Sequence, residues 1–126
     1  MTQSFYIPVR LPGLNEYINV CRRNRYEASA FKANYQDLIH VYLLKGGVVK
    51  VDSPCRYTFI WNEHTLRRDR DNVAFAKKFI LDSLVQYRYI KDDSPKFVTG
   101  FVDLFINNKA LPEGVQVIIE EEEDAD

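Results

Sequence analysis

The residues of this chain best suited to chemistry lie in one stretch, Arg67 to Ser94, reading RRDRDNVAFAKKFILDSLVQYRYIKDDS. Carboxylates stand at Asp69 and Asp71. A helical pattern follows with Lys77, Lys78 and Asp82, and a second acidic pair, Asp92 and Asp93, closes the stretch. Hard divalent cations such as Mg²⁺ take oxygen ligands, commonly one or two carboxylates completed by water and substrate phosphate. Metal-assisted phosphodiester hydrolysis needs such carboxylates. It also gains from a cation aimed at charge that develops on the phosphate.

A helical wheel tests the spacing. With a helix starting near Asp71, Lys78 falls about 20° from Asp71 and Asp82 about 20° to the other side, whereas Lys77 falls about 120° away. Asp71, Lys78 and Asp82 then share a polar stripe. Val73, Ala76, Phe79, Ile80 and Leu84 form the core side. By spacing alone the stronger reading is a solvated helix, with acid favoured at its N-terminus and an i,i+4 ion pair from Lys78 to Asp82. The catalytic reading stands beside it.

The ordered set Asp69-Arg70-Asp71-Asn72, then Lys78-Phe79-Ile80-Leu81-Asp82-Ser83-Leu84, then Asp92-Asp93 resembles the RusA family of Holliday-junction resolvases, and its phage-borne branch most. The N-terminal LPGLNEY is similar as well, and the resemblance covers the chain from about Phe5 to Ile119. It implies a Mg²⁺-dependent endodeoxyribonuclease, with Mn²⁺ as a substitute, that cuts four-way junctions or other branched DNA as a homodimer. It implies metal ligation by Asp69, Asp71 and Asp93, with Asp92 an additional candidate ligand, and assistance by Lys78. Asn72 and Asp82 would support these groups. The implied setting is recombination and repair in the cytoplasm of a bacterial or phage-infected cell. One departure is an apparent extra helical turn between Asn72 and the lysine. Alignment therefore leaves Lys77 and Lys78 open, and the wheel selects Lys78.

The elements that must position these groups follow from pattern. Ser4 to Leu11 reads as a first strand, with Pro8 suggesting an edge. Asn15 to Asn24 reads as irregular. Tyr26 to Lys45 is a helix by the recurrence of Phe31, Tyr35, Leu38, Ile39, Tyr42 and Leu43. Gly46 and Gly47 cap its C-terminus and form no phosphate loop. Val48 to Asn62 reads as a second strand with a break near Pro54, and Tyr57, Phe59 and Trp61 supply an aromatic face. A second helix spans about Asp71 to Tyr87, Tyr89 to Asp93 turns back, and residues 96–107 and 114–120 are two further strands. The order β-α-β-α-β-β predicts an α/β sandwich of α+β type, a mixed sheet packed on two helices.

Charge and the remaining motifs narrow the function classes. The formal charge of the 126 residues is −1, but six acids lie between Glu120 and Asp126; outside them 17 basic side chains face 12 acidic ones. A basic body that still concentrates acids in one stretch suits a nuclease. Arg22, Arg23, Arg25 and Lys32, with Arg10 nearby and Tyr17, Tyr26 and Phe31 interleaved, read either as a phosphate-backbone grip or as a solvated cluster over core aromatics. The resemblance favours the grip. Cys21 and Cys55 lack metal spacing and are expected to be reduced. His40 and His64 have no nucleophile arranged around them; His64, beside Glu63, reads as a loop residue. No apolar run reaches membrane length and no signal peptide is visible. The chain is thus expected to form one domain over residues 1–119, with 120–126 an acidic, disordered tail. The alternatives are a catalytically silent DNA-binding protein on the same fold, or a nuclease for flaps and other branched DNA.

Overall fold

The computed structural model describes residues 1–122. Strands β1 (Thr2–Ile7), β2 (Cys55–Asn62), β3 (Val98–Ile106) and β4 (Gly114–Glu121) form one sheet in the order β1-β4-β2-β3. Both β1 and β2 run antiparallel to β4, and β3 runs parallel to β2. The sheet is mixed and the class is α+β, as the pattern predicts.

Period-two alternation decides which face is covered. Cys55, Tyr57, Phe59 and Trp61 of β2 are buried, as are Val115, Val117 and Ile119 of β4 and Phe5 and Ile7 of β1. The rings stack along β2, Tyr57 on Phe59 at 6.4 Å and Phe59 on Trp61 at 5.8 Å. The alternate residues Thr58, Ile60, Gln116 and Ile118 are only half-buried, so the second face carries no covering layer among the described residues.

The helices are α1 (Leu14–Arg23), α2 (Arg25–Lys45), α3 (Arg70–Ala74) and α4 (Lys77–Gln86). The first expected helix is α2, and the second is the pair α3 and α4. The stretch before Asn24, expected to be irregular, is α1. It stops because Asn24 adopts extended backbone, and the Asn24 side chain accepts the Glu27 N–H at 2.8 Å, capping α2. The second expected helix is not continuous. At Phe75 and Ala76 the ladder tightens, the N–H groups of Ala76, Lys78 and Phe79 donating to carbonyls three residues back.

Two further expectations are corrected. Residues 48–54 are not strand; Val51 is buried and its N–H donates to the Tyr89 carbonyl at 2.8 Å, and pairing starts only at Cys55, after Pro54. The expected tail also begins too early. Glu120 and Glu121 belong to β4, and the Glu122 N–H donates to the Pro54 carbonyl at 2.9 Å. The rest of that segment, 123–126, lies outside the described residues. Tyr17, Phe31, Tyr35, Phe75 and Phe79 join the helices through ring pairs at 5.0 to 6.4 Å, with Phe79 1 % exposed among them.

Candidate functional site

Asp69 immediately precedes α3 and Asp71 lies in its first turn. Both are exposed, the Asp69 side chain forms no cap bond, and neither carboxylate takes part in an ion pair among the described residues. Their neighbour Arg68 is engaged inward. It grips Glu63 with two bonds of 2.7 Å and donates to the Leu11 carbonyl at 3.0 Å. With Glu16 at 3.5 Å, this ties the loop before α3 to the loop before α1. Asn72 strengthens the same seam, since its Oδ1 accepts the Asn15 N–H at 2.9 Å. A Cβ at Gly13 would stand 2.7 Å from that oxygen, so a larger residue there would push the Asn72 side chain off this bond. Asn72, expected to support the site, thus acts through the backbone it anchors.

The two lysines part company. Lys77 turns to the sheet, where it pairs with Asp103 and lies 4.0 Å from the Phe101 ring centroid. Asp103 also accepts the Trp61 indole N–H at 2.9 Å. Lys78 faces the other way, 3.0 Å from Asp82 and 3.8 Å from Asp93. The hydrogen bond to Asp82, with the charges of Asp82 and Asp93, outweighs partial burial and raises the Lys78 pKa, so its ammonium is charged at neutral pH. Lys32 reaches Asp82 from α2 at 2.7 Å. Lys32, Lys78, Asp82 and Asp93, with Ser29 and Gln36, line an open groove of about 540 Å³ between α2 and α4. Asp92 is occupied otherwise: the Ser94 hydroxyl and, at 2.8 Å, the Ser94 N–H donate to its carboxylate, which holds its pKa below the usual range and shapes the turn.

Asp69 does not share that groove. It lines a separate cleft of about 320 Å³ with Glu63, Leu66, Arg70 and Phe105. Arg70 lies over the Phe105 ring at 5.1 Å. Topology explains the separation. Asp69 and Asp71 stand where β2 ends, whereas Asp93 belongs to the turn leading back to β3, which starts beside Cys55 where β2 begins. From Asp71 to Lys78 the helical path rises about 10 Å. Among the described residues no group of three or more His, Cys, Asp or Glu side chains could hold a metal ion. The oxygens of Asp69 and Asp71 suit a hard cation held openly, with water and phosphate completing the shell. Together with Asp93 they do not form a closed three-carboxylate cage.

The expected basic group also divides. Arg22 and Arg23 end α1 and Arg25 opens α2, all exposed at the elbow. Arg23 pairs with Glu27 at 3.0 Å, and Arg25 lies over the ring of Tyr26, itself 75 % exposed. Lys32 belongs instead to the groove. Arg25, Ser29, Lys32 and Gln36 nevertheless recur at helical spacing, so one face of α2 leads from elbow to groove. His64 is a loop anchor, its ring 2.6 Å from the Leu111 carbonyl. His40 stacks on Tyr87 at 3.8 Å. Cys21 is exposed; Cys55 is buried, which pushes its thiol up to about 11 and keeps it protonated.

Sequence reasoning missed the structural arginine and the lysine partner. Arg68 is hidden in a run of charges that looks uniformly solvated. Asp103 did carry a signal, as the one acid inside an alternating apolar strand. These elements define an α+β domain with two separate acidic clusters flanking one helical unit. No known family model matches the chain, and no curated protein matches it.

Proposed function

We propose that this protein is a Mg²⁺-dependent endodeoxyribonuclease acting on four-way junctions or other branched DNA as a homodimer, in the cytoplasm of a bacterial or phage-infected cell. The ordered resemblance to the RusA family is the source of this reading. The observation that carries it is that one helical unit bears, at its start, two exposed carboxylates in no ion pair among the described residues and, further along, a charged lysine held at a groove. Exposed acids beside a basic surface repel phosphates unless a cation accompanies them.

Asp69 and Asp71 would hold the ion, with Mn²⁺ an alternative. When bound, Mg²⁺ supplies Lewis-acid stabilisation of charge on the phosphate and orients the attacking water. The chain's own residues do the rest. Lys78, kept cationic by Asp82, neutralises charge on the scissile phosphate. Asp82 positions Lys78 and Lys32 together. Asp93 limits the swing of Lys78. The elbow arginines bind backbone phosphates, with Tyr26 offering a ring to an unpaired base.

A silent DNA-binding protein is the second reading, favoured by the failure of the three carboxylates to converge within one chain. Labelled four-way junction incubated with the protein, with and without Mg²⁺, beside linear duplex, separates the two. The nuclease reading expects metal-dependent paired cuts in the junction, abolished in Asp71→Asn with junction binding retained. Tight junction binding without cleavage in Mg²⁺ or Mn²⁺ selects the silent binder, and undiminished cutting by Asp71→Asn removes this site from the mechanism.

A further inference from the structure

The outer edge of the sheet is left unprotected on one side only. β3 is an edge strand of 9 residues, which span about 30 Å. Natural edges are usually blunted by prolines, lysines, bulges or short length, because their free N–H and C=O groups recruit other strands. β3 has no proline and no lysine, and its one irregularity, where Cys55 and Arg56 pair with Val98 and Gly100, lies at its start and leaves Phe101 to Ile106 in regular register. On the uncovered face it shows Val102, Leu104 and Ile106, which are 42 %, 49 % and 40 % exposed. Its one charged residue, Asp103, is turned to the helical face and compensated by Lys77 and Trp61. The opposite edge contrasts: β1 has 6 residues, begins Thr2-Gln3-Ser4 and is followed by Pro8.

We infer that β3 pairs antiparallel with β3 of a second copy, around a two-fold axis normal to the sheet, giving a continuous eight-stranded sheet. Antiparallel pairing of identical strands is self-complementary, as a two-fold contact requires. The axis keeps like faces together, so the rows Val102, Leu104 and Ile106 of both copies merge into one apolar strip. Because Asp103 is neutralised within its own chain, two copies meet without repulsion, and a charged peptide finds nothing on this edge to read. A strip about 30 Å long and about 10 Å thick falls short of the ~800 Å² per partner of a standard interface, so the dimer is reversible and concentration-dependent. The pairing deepens the proposed function by naming its dimer surface, and rests on that function only for the dimer's use. It places both helical layers on one side, where one branched DNA can meet two grooves.

Sedimentation of the full chain across a wide concentration range tests the pairing. The mass should rise from one chain to two. Leu104→Glu should remain monomeric throughout with an unchanged circular dichroism spectrum, and Tyr6→Glu at the far edge should still dimerise. Should Leu104→Glu not fold, hydrogen exchange of the wild type decides: β3 amides should gain protection with concentration while β1 amides do not. A wild type monomeric at every concentration overturns the inference and leaves the edge to a strand from another protein. Association of folded Leu104→Glu equal to wild type, or β3 protection independent of concentration, overturns it too. Dimers that cut no junction would sink the nuclease reading alone, and monomers that cut would sink only this pairing.

Discussion

Lys77 and Lys78 are adjacent in sequence and opposite in use, so they separate structure from chemistry at single-residue resolution. Lys78→Ala should lower cleavage by about 10²–10³ with little loss of junction binding, the usual effect of removing one donor aimed at transition-state charge. Lys77→Ala should leave cleavage within a few-fold but lower stability by about 1–3 kcal/mol, because Asp103 loses its partner in a largely buried setting. Cleavage assays and urea melts on both variants check this, and a severe cleavage defect confined to Lys77→Ala reverses the roles. Tyr57 makes a second case. Its hydroxyl is buried with no hydrogen-bond partner among the described residues, and burial holds its pKa well above the ordinary tyrosine value. Tyr57→Phe removes that unsatisfied group at nearly constant volume. It should raise stability by about 1 kcal/mol in urea melts, whereas a loss would mean that the hydroxyl has a partner in solution.

At the scale of elements, the seam between the loop before α1 and the start of α3 fixes where Asp69 and Asp71 stand. Gly13→Ala should destabilise by about 1–3 kcal/mol, since its Cβ would drive into Asn72. In an Asn72→Ala background the same change should cost much less, and that non-additivity in a double-mutant cycle is the signature of direct contact. Additive effects would place the strain elsewhere. This seam also shows what the sequence could reveal. Strand alternation in Tyr57, Phe59 and Trp61, and the period of Phe31, Tyr35 and Ile39, marked the sheet and α2 because local burial imposes them. Asn24 with Glu27 three residues on is a start signal that was readable yet passed over amid the arginines. The break at Phe75 and Ala76 was not readable. Nothing in Val73-Ala74-Phe75-Ala76 opposes a helix, and packing of Phe75 on Tyr17 and Phe79 is a tertiary matter. The lysine sides were legible from periodicity, although the wheel assumed a helix that is in fact interrupted. Convergence of Asp69, Asp71 and Asp93 was beyond it, because the span across a strand-helix-strand crossover depends on the fold.

For the whole molecule, the basic groups differ in availability. Arg22 and Arg25 are exposed and Arg23 is paired only at the surface, but Lys32 is committed to Asp82. Neutralising any one elbow arginine should flatten the slope of log K against log salt for junction binding by about one unit. Lys32→Ala should change it less, because its departure also frees a carboxylate. Slopes unchanged for all three arginines would return the elbow to ordinary solvated surface. The position of that elbow matters beyond its contacts. α2 carries it about 30 Å from the end where Gln3 bonds Val49 and where Glu120, Glu121 and Glu122 finish β4. At that end the N-terminal amine pairs with Glu121 and Arg56 lies by Glu120, so the exposed arginines of the elbow are the less compensated charges of the two. A polyanion that came within a Debye length, about 8 Å at physiological salt, would meet the elbow's local positive field before any comparable field elsewhere on the helical layer, so that end would face it first.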